Sequence, residues 1–154
     1  MDQTIGRMIT LLARKSQGYI GDALKKYGLT AAEQPFFMAL QHYEGVTQEE
    51  LTAIVCVDKA ATARAVKSLE NKGYLIRVQD EHDRRRNRIY PTGEVKRLAD
   101  AVNRELLHFN DLLTRGIDPQ SLELVSAALA TMTENFEDML RPGCAEAEQG
   151  GGAQ

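Results

Sequence analysis

Apolar residues recur at helical spacing along most of this chain, and the pattern breaks once, past the middle. Over residues 3–27, Ile5, Met8, Ile9, Leu12, Ile20, Ala23, Leu24 and Tyr27 fall three or four apart or in multiples of that step. This predicts a long amphipathic helix, weakened in its middle by Gly18 and Gly21 and stopped by Gly28. Thr30-Ala31-Ala32-Glu33 has the spacing of a capping box and predicts a second helix to about Tyr43. Pro35 sits slightly deep for a first turn there and is expected to cost one backbone bond or bend the start. Phe36, Phe37 and Leu40 are core candidates. Thr47-Gln48-Glu49-Glu50 is a second capping box and opens a short helix through Leu51, Ile54 and Val55. After the tight Cys56-Val57 connection, Asp58 is the expected N-cap of a helix over 59–72, ended by Gly73.

Beyond Gly73 the period shortens. Residues 74–78 and 88–90 are β-type runs flanking a polar, charged stretch, which predicts a two-stranded hairpin with a long arginine-rich loop. Thr92 can cap a helix to about Leu113, with Val95, Leu98, Val102, Leu106 and Phe109 on one face. Asp118-Pro119 opens a last helix to about Leu140 carrying Leu122, Val125, Leu129, Met132 and Phe136. Arg141-Pro142-Gly143 ends it, and residues 144–154 are expected to form a disordered tail. The expected fold class is mainly α with a small β-hairpin.

Composition adds little until it is resolved along the chain. With 43% hydrophobic and 27% charged residues the 154-residue chain should be globular. No run of 18 apolar residues is present and the N-terminus lacks a signal-peptide pattern, so no membrane association and a cytoplasmic setting are expected. Cys56 and Cys144 have neither disulfide-framework nor zinc spacing. The net charge of −3 conceals a strong asymmetry: residues 59–97 hold eleven Lys/Arg against five Asp/Glu, and the remainder holds eight against seventeen. A basic middle in an acidic chain points to a local polyanion-binding surface.

Two short helices joined by a tight turn and followed by a basic hairpin is the order of a winged helix-turn-helix, which puts a helix in the major groove and a β-ribbon on phosphates or in the minor groove. In the helix from Lys59, Thr62, Ala65, Val66 and Leu69 share one face and can pack inward. Lys59, Ala60, Ala61, Arg64 and Lys67 lie toward the other side, with Ala63 at the margin. Arg64 is suited to guanine, the alanine methyls to thymine methyls, and Lys59 and Lys67 to phosphates. The loop carries Arg84, Arg85, Arg86 and Arg88, whose mutual repulsion phosphate relieves.

The segments Gly45-Val46-Thr47-Gln48-Glu49-Glu50-Leu51, Val57-Asp58-Lys59, Leu69 to Arg77, and Asp83-Arg84-Arg85 together resemble the core of the MarR family over about residues 29–100. Asp83-x-Arg85, with Thr92 seven residues on, is similar to the family's wing signature. The resemblance implies a transcription regulator, by default a repressor, that is a homodimer on a pseudo-palindromic double-stranded operator. It implies a single winged-helix chain over 1–143, with DNA-binding residues at about 30–92 and dimerisation helices at 1–28 and 93–141. It implies wing positioning by Asp58 and Asp83, with an ion pair between Asp58 and Arg85 fixing the wing's angle. It also implies release by a small aromatic or anionic ligand, in a cleft that Tyr19, Phe36, Phe37, His42 and Tyr43 could line, although core packing explains these five at least as well. Two departures stand out. Alanines at 60, 61 and 63 replace the family's frequent Ser or Thr, and Pro91-Thr92-Gly93 replaces its Leu-Thr-x-x-Gly, so the second wing strand is expected to end early.

Other chemistry is thinly supported. His42, His82 and His108 are scattered, and no hydrolase, P-loop or metalloprotease motif occurs, so no enzyme, cofactor or metal is expected. Two alternatives stay open: a redox-responsive regulator through Cys56, which precedes the recognition helix, and a winged-helix module that binds an acidic protein.

Overall fold

The computed structural model describes residues 4–140. The elements are α1 (Ile5–Leu24), α2 (Gln34–Leu40), β1 (Val46–Thr47), α3 (Gln48–Val55), α4 (Lys59–Asn71), β2 (Leu75–Gln79), β3 (Asn87–Pro91), α5 (Gly93–Thr114) and α6 (Pro119–Leu140). The expected tail at 144–154 lies outside the described residues. The chain divides into two compact units between Asn110 and Asp111, inside α5.

The helix ends follow their local chemistry. Thr4 caps α1, and α1 tightens into a 3-10 turn over Lys25–Tyr27 before Gly28. The capping box at Thr30 forms, with Thr30 N–H donating to Glu33 and Glu33 N–H to Thr30 Oγ1. The regular helix nevertheless begins only at Gln34, so Pro35 falls in its first turn, where its missing N–H costs nothing. Pro35 therefore costs no backbone bond, and α2 ends at Leu40 rather than near Tyr43. The second box at Thr47 and Glu50 is complete. Asp58 caps α4 through Ala61 N–H at 2.8 Å, and Asp118 caps α6 through Ser121.

The sheet has three strands in the order β1-β3-β2, all antiparallel, one more than the expected hairpin. Val46 pairs with Ile89 and Thr47 with Arg88. Gly45 enters β1 at φ +69°, a conformation that favours glycine, and a Cβ there would press on the Tyr90 hydroxyl at 3.2 Å. The second wing strand does not end early: Pro91 closes it opposite Leu75. A strand's last residue tolerates proline, and the neighbouring Thr92 N–H supplies a bond to Tyr74 O.

Unit 1 holds the core. Leu24, Leu29, Phe36, Phe37, Leu40, Leu51, Val66, Leu69, Leu75, Ile89, Val95 and Val102 are almost wholly buried. Tyr74 meets Phe37 edge-on at 5.4 Å and donates its hydroxyl to Tyr27 O. Only the C-terminal third of the α1 stripe joins this core, through Ile20, Leu24 and Tyr27. Ile5, Met8, Ile9 and Leu12 remain 40–54% exposed. In unit 2, none of residues 111–137 is buried, and Leu124, Val125, Leu129 and Phe136 are exposed on α6.

Candidate nucleic-acid interface

α3 and α4 are held at a fixed angle by a short, polar joint. Cys56 ends α3 in the left-handed region at φ 57°, the one non-glycine residue with positive φ among those described. Val57 follows, and Asp58 starts α4. The Thr52 and Thr62 hydroxyls meet at 3.0 Å across the two helices, and fully buried Thr62 also donates to Asp58 O. The Cys56 thiol donates back to Ala53 O at 3.4 Å, along the helix it ends. Left-handed backbone costs a side chain about 1–2 kcal/mol, partly offset by the unfolded-state entropy glycine adds. Cys56→Gly is therefore expected to stabilise the fold by about 0.5–1 kcal/mol in urea unfolding, with DNA affinity unchanged. A loss of affinity would assign the thiol a role beyond ending the helix.

α4 presents two faces. Thr62, Ala65, Val66 and Leu69 are buried, as their spacing predicts. Lys59, Ala60, Ala63, Arg64 and Lys67 are exposed, and Ala61 is half-buried at the edge facing α2. Asn71 continues the line of Ala60, Arg64 and Lys67 by one more turn and is also exposed. Sequence reasoning misses it when the stripe is taken to end with the last cation. The Asp58 carboxyl is held below the usual carboxylate range, first by the Ala61 N–H bond and more weakly by Arg64.

The wing loop is built on one buried acid. Asp80 is 7% exposed. Its Oδ1 accepts from His82 and Asp83 N–H groups, and its Oδ2 accepts from Arg88 Nε at 2.6 Å. Asp80 N–H closes the loop on Arg86 O. Arg88 Nη1 reaches Gly45 O at 2.7 Å. The bonds from His82 and from Arg88 hold the Asp80 carboxyl down, against the desolvation that opposes them. Asp83 accepts from Arg85 N–H and lies 3.5 Å from Arg86.

Two sequence assignments change. Among the described residues no ion pair links Asp58 to Arg85. The carboxylate faces its own helix terminus, and the wing is tied down by Arg88 and Asp80 instead. Arg88, grouped by sequence with the DNA-facing cations, is half-buried and engaged within the fold. The other cations of residues 59–88 sort cleanly. Lys72 and Arg77 are each paired with a glutamate. Lys59, Arg64, Lys67, Arg84 and Arg85 are exposed with no ion pair among the described residues, and Arg86 is exposed with only a loose one.

The five aromatic and histidine residues suggested for a ligand cleft do not converge. Phe36 and Phe37 are core, and Tyr19 packs on Phe109 at 5.5 Å. His42 borders a hollow of about 520 Å3 beside Thr92 and Lys96. A separate hollow of about 410 Å3 lies between Gln17, Phe36 and Arg64. Among the described residues no group of His, Cys, Asp or Glu could hold a metal, and no helix is long and apolar enough to cross a membrane.

A helix-turn-helix with a short third strand leading into it, followed at once by a basic β-hairpin, defines a winged helix-turn-helix. Residues 27–86 match the MarR family. A MarR transcriptional regulator of Methanosarcina mazei Go1 is 32% identical, with 88% of this chain and 98% of that one aligned at a TM-score of 0.80. YybA of Bacillus subtilis, an uncharacterised HTH-type transcriptional regulator, is 27% identical over 85% of this chain and 87% of its own. A MarR-type regulator of Listeria monocytogenes, solved with a 26mer DNA, shares the fold at 24% identity over 89% of this chain and 91% of its own, with a TM-score of 0.78. The chain belongs to the MarR family.

Proposed function

We propose that this regulator is a homodimeric repressor that reads a pseudo-palindromic operator with α4 in the major groove and the wing on phosphates or in the minor groove. One observation carries the reading. Within residues 59–88, the exposed cations without a firm ion-pair partner lie on the outer face of α4 and in the wing loop, while Lys72, Arg77 and Arg88 are paired within the fold. Cations that are unpaired in the free protein can neutralise phosphates and release counterions without first breaking a protein contact. Lys59, Lys67, Arg84, Arg85 and Arg86 take the phosphate roles, and Arg64 reads a base. Ala60, Ala61 and Ala63 allow close approach and methyl contact with thymine. Asp83 shapes the loop beneath Arg85 and Arg86. The division into a winged-helix part at about 30–92 and dimerisation helices at 1–28 and 93–141 is part of this proposal.

The dimer rests on α1. A helix that exposes Ile5, Met8, Ile9 and Leu12 on one stripe needs a cover, and a second copy supplies one while placing two reading heads on one operator. Replacing Ile9 and Leu12 together by glutamate is expected to give a monomer by light scattering. Operator affinity should then fall about a hundredfold or more, the advantage that two linked sites confer. A variant that remains dimeric would place the interface elsewhere. A small aromatic or anionic effector fits the hollow beside Arg64, where it would touch α4 directly.

The test is selection of bound duplexes from a random DNA pool by the purified protein. Enrichment of an inverted repeat with half-site centres about one helical turn apart supports a dimeric reader. Binding that shows no sequence enrichment would refute sequence-specific reading.

A further inference from the structure

We infer that Asp80 and Arg88 are the wing-positioning pair of this regulator, and that Asp80, although acidic and beside the DNA-binding surface, is required for tight binding. The inference rests on the wing meeting DNA as proposed above. Its basis is where the bonds go. Arg88 sits in the central strand of the sheet, opposite Thr47 on one side and Val78 on the other. Its guanidinium forks between two anchors, Nε to Asp80 and Nη1 to the carbonyl of Gly45. The loop root is thereby fixed to the segment that enters the helix-turn-helix. A planar fork can hold two acceptors at a set angle, which an ammonium does not do. The other carboxylate oxygen of Asp80 holds the first turn of the loop through His82 and Asp83. One side chain thus fixes both where the loop leaves the sheet and how it turns. Arg84 and Arg85 follow that turn, and Arg86 O accepts from Asp80 N–H where the loop closes; all three side chains are exposed.

The expected sign separates positioning from electrostatics. Removing an acid near a phosphate-binding surface ordinarily tightens binding. Asp80→Asn keeps an oxygen for the two N–H groups and loses the charged pair with Arg88. It is expected to weaken operator binding about tenfold or more and to flatten the slope of log affinity against log salt by about 1–2, as the wing moves off its phosphates. Arg88→Lys keeps the charge but not the fork, and is expected to act in the same direction. Glu81→Gln, at an exposed acid in the same loop with no bond to the wing arginines among the described residues, is expected to leave binding unchanged or slightly tighter. Melting curves for each variant, and hydroxyl-radical footprints of the DNA flanks, accompany the titrations. Loss of flank protection with the centre of the operator still protected is the expected footprint. Unchanged or tighter binding by Asp80→Asn would overturn the inference. So would a loss by Arg88→Lys spread evenly over centre and flanks. Failure of the unmodified protein to bind any duplex would instead overturn the DNA-binding reading itself.

Discussion

Lys72→Met is expected to destabilise the protein by about 2–3 kcal/mol at neutral pH, and the deficit is expected to shrink in acid. The Glu33 side chain is 5% exposed and Lys72 Nζ lies 2.8 and 2.7 Å from its two oxygens. Truncating Lys72 leaves a buried carboxylate without its counter-charge. A fully buried pair would cost about 3–5 kcal/mol, and the one-third exposure of Lys72 lowers that figure. Desolvation is the largest influence on Glu33 and pushes its pKa up. The bonds from Lys72, Ser68 and Thr30 together overcome it, and the carboxyl ends below its ordinary value of 4.5.

The sign of the pH dependence follows. A carboxyl whose folded pKa is depressed contributes stability that is present above its unfolded value and lost as pH falls through the folded one. Without Lys72 the desolvation prevails and the folded pKa rises, so protonation favours the variant's folded state. The two stability curves should converge as pH drops below about 4.5. Urea unfolding at several pH values reads this directly. A deficit that stays constant with pH would mean that only the packing of the lysine stem was removed. Lys72→Arg should restore most of the stability, because the charge returns.

The second large effect concerns the wing tip. Replacing Arg84, Arg85 and Arg86 together by alanine is expected to lower operator affinity about a hundredfold at moderate salt and to reduce the salt slope by about 2.7, near 0.9 for each phosphate no longer neutralised. Melting temperature should hardly change, because all three side chains are exposed. A full loss of affinity with an unchanged salt slope would show that these arginines act through the loop's shape rather than by neutralising phosphates. Arg64→Ala offers a contrast, since a base-reading residue alters which sequence is preferred more than how salt acts.

What the sequence revealed and concealed follows from the range of each signal. Caps, stops and apolar periods are local, and Thr47, Asp58 and Asp118 all cap where their spacing placed them. β1 escaped notice because two residues have no period and Thr47 already carried a cap. The Glu33–Lys72 pair joins residues 39 apart, and no local pattern announces such a pairing. Glu33 was legible only as half of a capping box. Asp80 and Arg88 were visible as one acid and one base in a charged loop. Burial separates them from Asp83 and Arg84, and Arg88 lies beside β1, which was not foreseen. The inward face of α4 was fully legible, because alternation of apolar and polar positions encodes it directly. The aromatics stayed open between cleft and core for the converse reason: aromatics in the chain say nothing about whether a cavity lies between them.

Two kinds of fastener hold unit 1 together, and they respond differently to protons. The Gln41 and Asn103 side chains exchange hydrogen bonds in both directions, at 3.3 and 3.1 Å, between α2 and α5. Primary amides neither gain nor lose a proton across the pH range in which proteins are handled. The clasp of α4 to the start of α2, through Glu33 and Lys72, does titrate. Acid should therefore release the reading head while its mounting stays fastened. Hydrogen exchange below about pH 4.5, where Glu33 takes up its proton, would then show α4 amides opening in a small sub-global event, and those around Gln41 and Asn103 only with the whole unit.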